Sequence, residues 1–319
     1  MSENLIKVSV LLSVYNGQNH LKQCIESVLN QSYQEFEFII IDDNSNDNSA
    51  QIIKSYQDDR IFFVQNDENI GLTKSLNKAL SLAKGKYIAR IDHDDIYLKN
   101  KLQKQIDFVT KNPQCKILFT DVIKIDEFGN ELPCYSRIKT PEDIYYHMHF
   151  INPVIHPTVM IEKSVIISVG GYDEDFKFAQ DYELWSRLLY QYKFFKLNEP
   201  LLKYRVNSKQ ISKNYLEKQK YYAEKVFIKM MNSIGIEEIN EKVLYFHKFA
   251  YEFNNKINFD HIQCYRSISK AVFKNIPLFL DKQRLKKIYY KNLVYYIIVF
   301  LSKIEFLKSF FKYVIKFFK

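Results

Sequence analysis

The chain has 319 residues, 47% of them apolar and 26% charged, with a net charge of +9. That balance excludes a disordered, collagenous or disulfide-stapled protein and leaves a globular one, large enough for one sizeable domain or two smaller ones. The charge is unevenly divided: residues 1–205 hold 24 Lys+Arg against 28 Asp+Glu, whereas residues 206–319 hold 22 against 9. The asymmetry predicts two modules with different partners, 1–205 and 206–319.

The four cysteines (Cys24, Cys115, Cys134, Cys264) are scattered, with no CxxC spacing. They give neither a zinc signature nor a disulfide framework, so a reducing compartment is expected. The N-terminus runs straight into a strand with no signal-peptide pattern. No run reaches 18 apolar residues; the longest, Leu293 to Leu301, is too short to span a bilayer. The expected location is cytoplasmic.

In chain order, Val8–Leu12 is a short apolar run and Asn19 to Gln31 has helical periodicity through Leu21, Ile25, Val28 and Leu29. Phe36–Ile41 is a second strand, ending in Asp42-Asp43. Ser49 to Tyr56 reads as a helix, Ile61–Val64 as a strand, and Thr73 to Ala83 as an amphipathic helix. Tyr87–Ile91 is a fourth strand, followed by a helix over Ile96 to Thr110. The rhythm predicts a mostly parallel sheet flanked by helices, with ligands beyond the carboxyl ends of its strands. Beyond residue 110 the pattern becomes mixed. Ile117–Thr120, Val122–Asp126 and Thr158–Ile161 read as strands, Phe128-Gly129-Asn130 as a hairpin turn, and Asp181 to Tyr190 as a helix. After Arg205 the chain is almost entirely helical.

Two carboxylate clusters fall where ligands belong, Asp42-Asp43 after the second strand and Asp92-His-Asp94-Asp95 after the fourth. Asp92 and Asp94 are two apart and able to converge on one hard cation, Mg²⁺ or Mn²⁺, whose shell substrate phosphates complete. The competing reading is an acidic turn that caps the next helix.

Four segments now align: Ser13-Val-Tyr15-Asn16-Gly17, Ile41-Asp42-Asp43-Asn-Ser45, Asp92-His-Asp94-Asp95 and Gln180-Asp181-Tyr-Glu-Leu-Trp185. In this order they resemble the family 2 glycosyltransferases of the GT-A fold, over roughly residues 5–210. Asn69-Ile-Gly71-Leu-Thr-Lys74-Ser-Leu-Asn77 is similar to that family's nucleotide-proximal loop and helix. The resemblance implies a Rossmann-like α/β fold with a helical C-terminal region. It implies that Ser13, Tyr15 and Asn16 lie on the nucleotide side and that Asp42 accepts a hydrogen bond from the base. Asn69, Gly71, Lys74, Asn77 and Arg90 are expected to face the donor. Asp92 would touch the ribose or a metal-bound water, and Asp94 would hold a divalent ion that neutralises the departing diphosphate. Asp181 matches the catalytic base, which takes the acceptor hydroxyl's proton as that oxygen attacks with inversion.

The chain departs from the family pattern at three positions. Ser13 stands where Pro is common, Gln180 replaces a Glu, and Asn207 takes the His position of a Tyr-Arg-x-His segment, which leaves Arg205 as the expected phosphate contact. His156, between two prolines, fits a structural histidine better than a functional one. Trp185 fits core packing, Arg90 an ordinary ion pair, and Asp43 a helix cap.

From Ile304 to Lys319, Lys308, Lys312, Lys316 and Lys319 share a narrow arc of a helix whose remainder is apolar, which suits an anionic membrane surface. A packing helix or dimer contact is the alternative; no nucleic-acid module is present. The expectation is a membrane-peripheral transferase that uses a nucleotide-diphosphate sugar, UDP-linked, on a glycan or lipid-linked acceptor of a bacterial surface polysaccharide or lipopolysaccharide. Its rivals are a nucleotidyltransferase and a non-catalytic assembly subunit of the same fold.

Overall fold

The computed structural model describes residues 7–134, 138–206, 216–236, 239 and 259–301. The chain forms two compact units, Met1–Lys139 with Val154–Leu216, and Thr140–Pro153 with Glu217–Lys319. The segment 140–153 thus leaves the first unit and joins the second.

In the first unit the strands are β1 (Val8–Val14), β2 (Phe36–Asp42), β3 (Ile61–Gln65), β4 (Tyr87–Arg90), β5 (Ile96–Tyr97), β6 (Ile117–Ile125), β7 (Glu131–Leu132), β8 (Met160–Glu162) and β9 (Phe194–Arg205). They form one sheet in the order β3-β2-β1-β4-β8-β6-β9-β5, with β7 paired to β6. The β3-β2-β1-β4 half is parallel, as its apolar runs predict. The other half is mixed: β8 runs antiparallel to β4 and β6, β9 parallel to β6, and β5 antiparallel to β9. All seven residues of β1 and of β2 are buried, the signature of central strands covered on both faces. The helices are α1 (Gln18–Leu29), α2 (Ser49–Lys54), α3 (Leu72–Leu82), α4 (Lys101–Lys111), α6 (Lys163–Ser168) and α7 (Gln180–Leu188). The stripe Leu21, Cys24, Ile25 and Val28 of α1 is buried, and so are Leu76, Ala79 and Leu80 of α3.

Three readings of the sequence change. Ile96 does not begin a helix: Ile96–Tyr97 pairs with Leu202 and Lys203 as a strand, and α4 starts at Lys101. The Tyr97 hydroxyl donates to the Arg90 carbonyl at 2.8 Å, which fixes the residue in place against its helical neighbours. The two strands expected at 117–120 and 122–126 are one, bent by a register irregularity around Asp121. Strand β9 goes unread because Asn198 and Pro200 interrupt it; Pro200 sits at that irregularity, where a missing N–H is tolerated.

In the second unit, α5 (Pro141–Met148) opens with a capping box between Thr140 and Asp143. The other described helices there are α8 (Leu216–Ser233), α9 (Phe259–Lys274) and α10 (Lys282–Leu301). Tyr146 donates to the Tyr265 hydroxyl (2.5 Å) and shares a hydrogen bond with Ser269 Oγ (2.7 Å), and Tyr145 donates to the Asn275 carbonyl at 2.9 Å. These bonds satisfy hydroxyls that an aromatic core would otherwise strand. Among the described residues no helix is long and apolar enough to cross a membrane. The expected amphipathic helix at 304–319, and Asn207, lie outside the described residues.

Candidate active site

Parallel pairing brings three functional segments to one end of the sheet: Val14 lies opposite Asp42, and Leu11 opposite Arg90. The turn after β1 is stitched to the loop after β2. The backbone N–H groups of Asn16, Gly17 and Gln18 donate to Ser45 Oγ (2.9 Å), Ser49 Oγ (2.9 Å) and Asp47 Oδ2 (3.1 Å). In return Asn46 and Asn48 donate to the side chains of Asn16 and Gln18. Asn16 has φ +53, a conformation asparagine tolerates. Gly17 has no alternative: a Cβ there would meet Val14 Cγ2 at 2.6 Å and the His93 ring at 2.7 Å. Because all three amides are engaged, this turn is no phosphate cradle, which removes the main structural ground for a nucleotidyltransferase.

Ser13 is buried on β1 and Tyr15 is exposed beyond it. Asp42 is fully buried; its Oδ2 accepts from Ser45 N at 3.3 Å, but its Oδ1 has no partner. A buried carboxylate oxygen without a donor is costly and rare, and it points to a ligand N–H. Asp43, beside it, is no helix cap. Its carboxylate takes Asn66 Nδ2 (2.8 Å), Ile70 N (3.0 Å) and Gly71 N (2.8 Å), which clamps the loop that leads into α3. Gly71, at φ +88, holds the bend before that helix, with Asn69 and Lys74 exposed on either side. Asn77 is engaged otherwise: its amide both donates to and accepts from the Tyr172 backbone, at 2.9 Å each way. It fastens α3 to the segment before α7 instead of offering itself to a donor.

The acidic turn is built around two arginines. Buried Arg90 makes a two-pronged ion pair with Asp92, one bond at 2.8 Å and the other shorter. Burial opposes the guanidinium's charge, but Asp92, Tyr172 and Asp181 outweigh it and raise its pKa. Asp95 is buried, with Oδ2 unpartnered. Burial, reinforced by Asp92 and Asp94, holds its carboxyl well above the ordinary carboxylate range. Arg205 does not reach outward to a phosphate. It is 2% exposed and donates from Nε to the Asp94 carbonyl (2.8 Å), from Nη1 to the Asp126 and Glu127 carbonyls (3.1 Å each) and from Nη2 to Gln23 (3.0 Å). Its backbone N–H donates to Asp95 Oδ1 at 2.9 Å. It braces the turn.

Asp181 sits in the first turn of α7, close enough for its charge to act on Arg90, Tyr172 and Tyr204. Tyr204 feels Asp95, Asp92, Asp94 and Asp181 together; with burial they push its hydroxyl far above the ordinary range. The acidic turn and the start of α7 are therefore near enough for their charges to act on the same residues, a proximity that sequence alone reaches only through the family resemblance. Tyr172 and Tyr204 stand near these carboxylates; Tyr204 opens the Tyr-Arg-x-His-like segment, whereas Tyr172 has no motif to announce it. Behind them His156 bonds the Tyr172 hydroxyl at 2.9 Å and is kept neutral by burial, then by Arg90. Fully buried Trp185 stands edge-on to His156 at 5.6 Å, a packing position under α7.

No group of three or more metal-ligating side chains occurs among the described residues. Two observations nevertheless fit a divalent cation held by few carboxylates. Asp92 and Asp94 lie close enough for their charge to add to the burial that raises the Asp95 carboxyl and the neighbouring Cys24 thiol. Mg²⁺ and Mn²⁺ sites commonly use one or two carboxylates and leave the rest of the shell to substrate phosphates.

The sequence profile of the family described as glycosyl transferase family 2 matches residues 9–170. An uncharacterised glycosyltransferase of Methanocaldococcus jannaschii is 40% identical over 225 residues, 68% of this chain and 76% of the relative. The putative teichuronic acid biosynthesis glycosyltransferase TuaG of Bacillus subtilis is 34% identical over 65% of this chain and 82% of its own length. Among solved structures, S. aureus TarS 1-349 in complex with UDP-GlcNAc superimposes with a TM-score of 0.62 at 19% identity, over 93% of this chain and 91% of that one. That likeness establishes the fold.

Proposed function

The chain belongs to glycosyl transferase family 2, and from that premise we propose that it transfers a sugar, with inversion, from a UDP-sugar to a hydroxyl of a surface glycan or its lipid-linked precursor. What supports the reading is that Asp92 and Asp181 both lie within charge range of Arg90 and of Tyr204, a candidate base near a candidate diphosphate site. The unpartnered Asp42 Oδ1 supports a uracil, whose imide N–H is the donor that this oxygen lacks. UDP-GlcNAc in the TarS complex and the teichuronic acid role printed for TuaG support the donor and the pathway class.

In this reading Asp42 and the stitched loop at 44–49 orient the base, and Tyr15 covers it. Asp94, helped by Asp92, would hold a divalent cation, Mn²⁺ or Mg²⁺, which supplies charge to stabilise the departing diphosphate. Arg90 fixes the Asp92 carboxylate and keeps cationic charge between the acidic turn and Asp181. Asp181 accepts the acceptor hydroxyl's proton as the oxygen attacks the anomeric carbon from the face opposite the leaving group. The protein works at the cytoplasmic face of the membrane, held peripherally, and the basic residues of 206–319 draw it there.

The test is calorimetry with a panel of nucleotide sugars, with and without Mn²⁺, on the wild type and on Asp94→Ala and Asp181→Asn. Micromolar binding of one UDP-sugar, weakened by Asp94→Ala, is expected. Asp181→Asn should keep that binding and lose transfer by about 10²–10⁴-fold. Failure of every donor to bind overturns the reading in favour of a non-catalytic subunit.

A further inference from the structure

Helix α10 has two unlike faces. Leu285 is fully buried, while Lys286, Lys287, Tyr290, Lys291, Val294 and Ile297 are all exposed. At 3.6 residues per turn these six fall within an arc of roughly 140°, centred opposite Leu285. The exposure of the apolar members is substantial: Tyr290 60%, Val294 43% and Ile297 36%. Their order is polarised along the helix. The lysines occupy the N-terminal half of the outward face, with Tyr290 among them, and the aliphatic residues the C-terminal half. Lys282–Leu301 contains five Lys+Arg and no Asp or Glu, and residues 302–319 add five Lys against one Glu.

We infer that this outward face of α10 is a docking surface for an anionic phospholipid bilayer, with the helix lying in the interface plane. Aliphatic side chains buried at the headgroup boundary, a tyrosine at its level and lysines among phosphates are the elements of an interfacial helix. The charge chooses this occupant over a second copy of the chain. A two-fold self-contact sets the same patch against itself, and uncompensated lysines would then oppose lysines. Nucleic acid would engage the lysines but leaves Val294 and Ile297 nothing to bury against. The inference takes from the proposed transferase reading only the purpose of being at a membrane. It also differs from the expectation for 304–319, since it rests on residues before that segment.

Full-length protein is sedimented with vesicles of phosphatidylcholine containing phosphatidylglycerol, and with vesicles of phosphatidylcholine alone. Binding to the anionic vesicles is expected to be at least about tenfold tighter. The double variant Lys286→Glu/Lys287→Glu should weaken that binding by about tenfold or more. Tyr290→Ser/Val294→Ser/Ile297→Ser should weaken it as well; if this variant does not fold, the lysine variant decides. Equal binding to both vesicle types, wild-type binding by the lysine variant, or a dimer that the triple variant dissociates would each overturn the inference. A folded triple variant that binds like the wild type reduces the patch to a polyanion site and overturns it too. UDP-sugar binding is measured in the same preparations without vesicles. Its absence alongside intact, variant-sensitive vesicle binding counts against the transferase reading and leaves the docking surface standing.

Discussion

Arg205 holds Asp94 by its backbone: the guanidinium Nε donates to the Asp94 carbonyl at 2.8 Å. One buried guanidinium thereby joins the acidic turn to α1 through Gln23 and to the β6–β7 turn through Asp126 and Glu127.

Replacing Arg205 with Met strands three carbonyls and leaves the Gln23 side chain without this donor. The expected cost is about 3 kcal/mol, with Arg205→Lys recovering only part of it because an ammonium cannot reproduce the planar fork. Trp185, the single tryptophan, lies in the first unit and reports its unfolding by fluorescence. An unfolding midpoint unchanged in Arg205→Met refutes the bracing role.

Asp42→Asn exchanges an obligate acceptor for a group that also donates. Affinity for a UDP-sugar should fall about 10- to 100-fold, the worth of a hydrogen bond to a charged partner. A cytosine ring presents an acceptor where uracil presents an imide N–H, so the same variant should narrow the preference for UDP- over CDP-sugars. Calorimetry on the four combinations checks this; an unaltered preference means that the base does not meet Asp42.

His149 is fully buried with Nδ1 2.8 Å from the Tyr145 carbonyl, and burial lowers its pKa from 6.5 to about 4. The unfolded chain therefore binds the proton first as pH falls. Stability is unaffected above pH 6.5 and is lost progressively between 6.5 and about 4, by about 3 kcal/mol in total from this group. Denaturant titrations of the wild type and His149→Gln across that range should diverge in slope; parallel curves would dismiss the linkage.

The half of the sheet that carries Asp42 and Asp92 was legible because local rules generate it. Apolar runs such as Phe36–Ile41 encode buried parallel strands, and both carboxylates stand at the ends of such strands, where ligands are expected. The role of Asp43 was not legible, since its partners at Asn66, Ile70 and Gly71 depend on where the following loop lies in space. Arg205 raises the same difficulty. A motif places an arginine near the site but does not say whether its fork points to a phosphate or to the carbonyls of two turns far earlier in the chain, at Asp94 and at Asp126-Glu127. Ile96 and Tyr97 have helical neighbours in sequence and a strand as neighbour in space, and the strand prevailed. The passage of 140–153 into the second unit has no local signature beyond the Thr140 cap.

The engaged amides of Asn16, Gly17 and Gln18 have a consequence for how such a protein changes its substrate. A turn whose amides are already committed is left to recognise a ligand through its side chains. Under the proposed reading, donor preference then becomes a matter of single codons at positions such as Tyr15 and Asp42, and drifts from one sugar nucleotide to another over an unaltered scaffold.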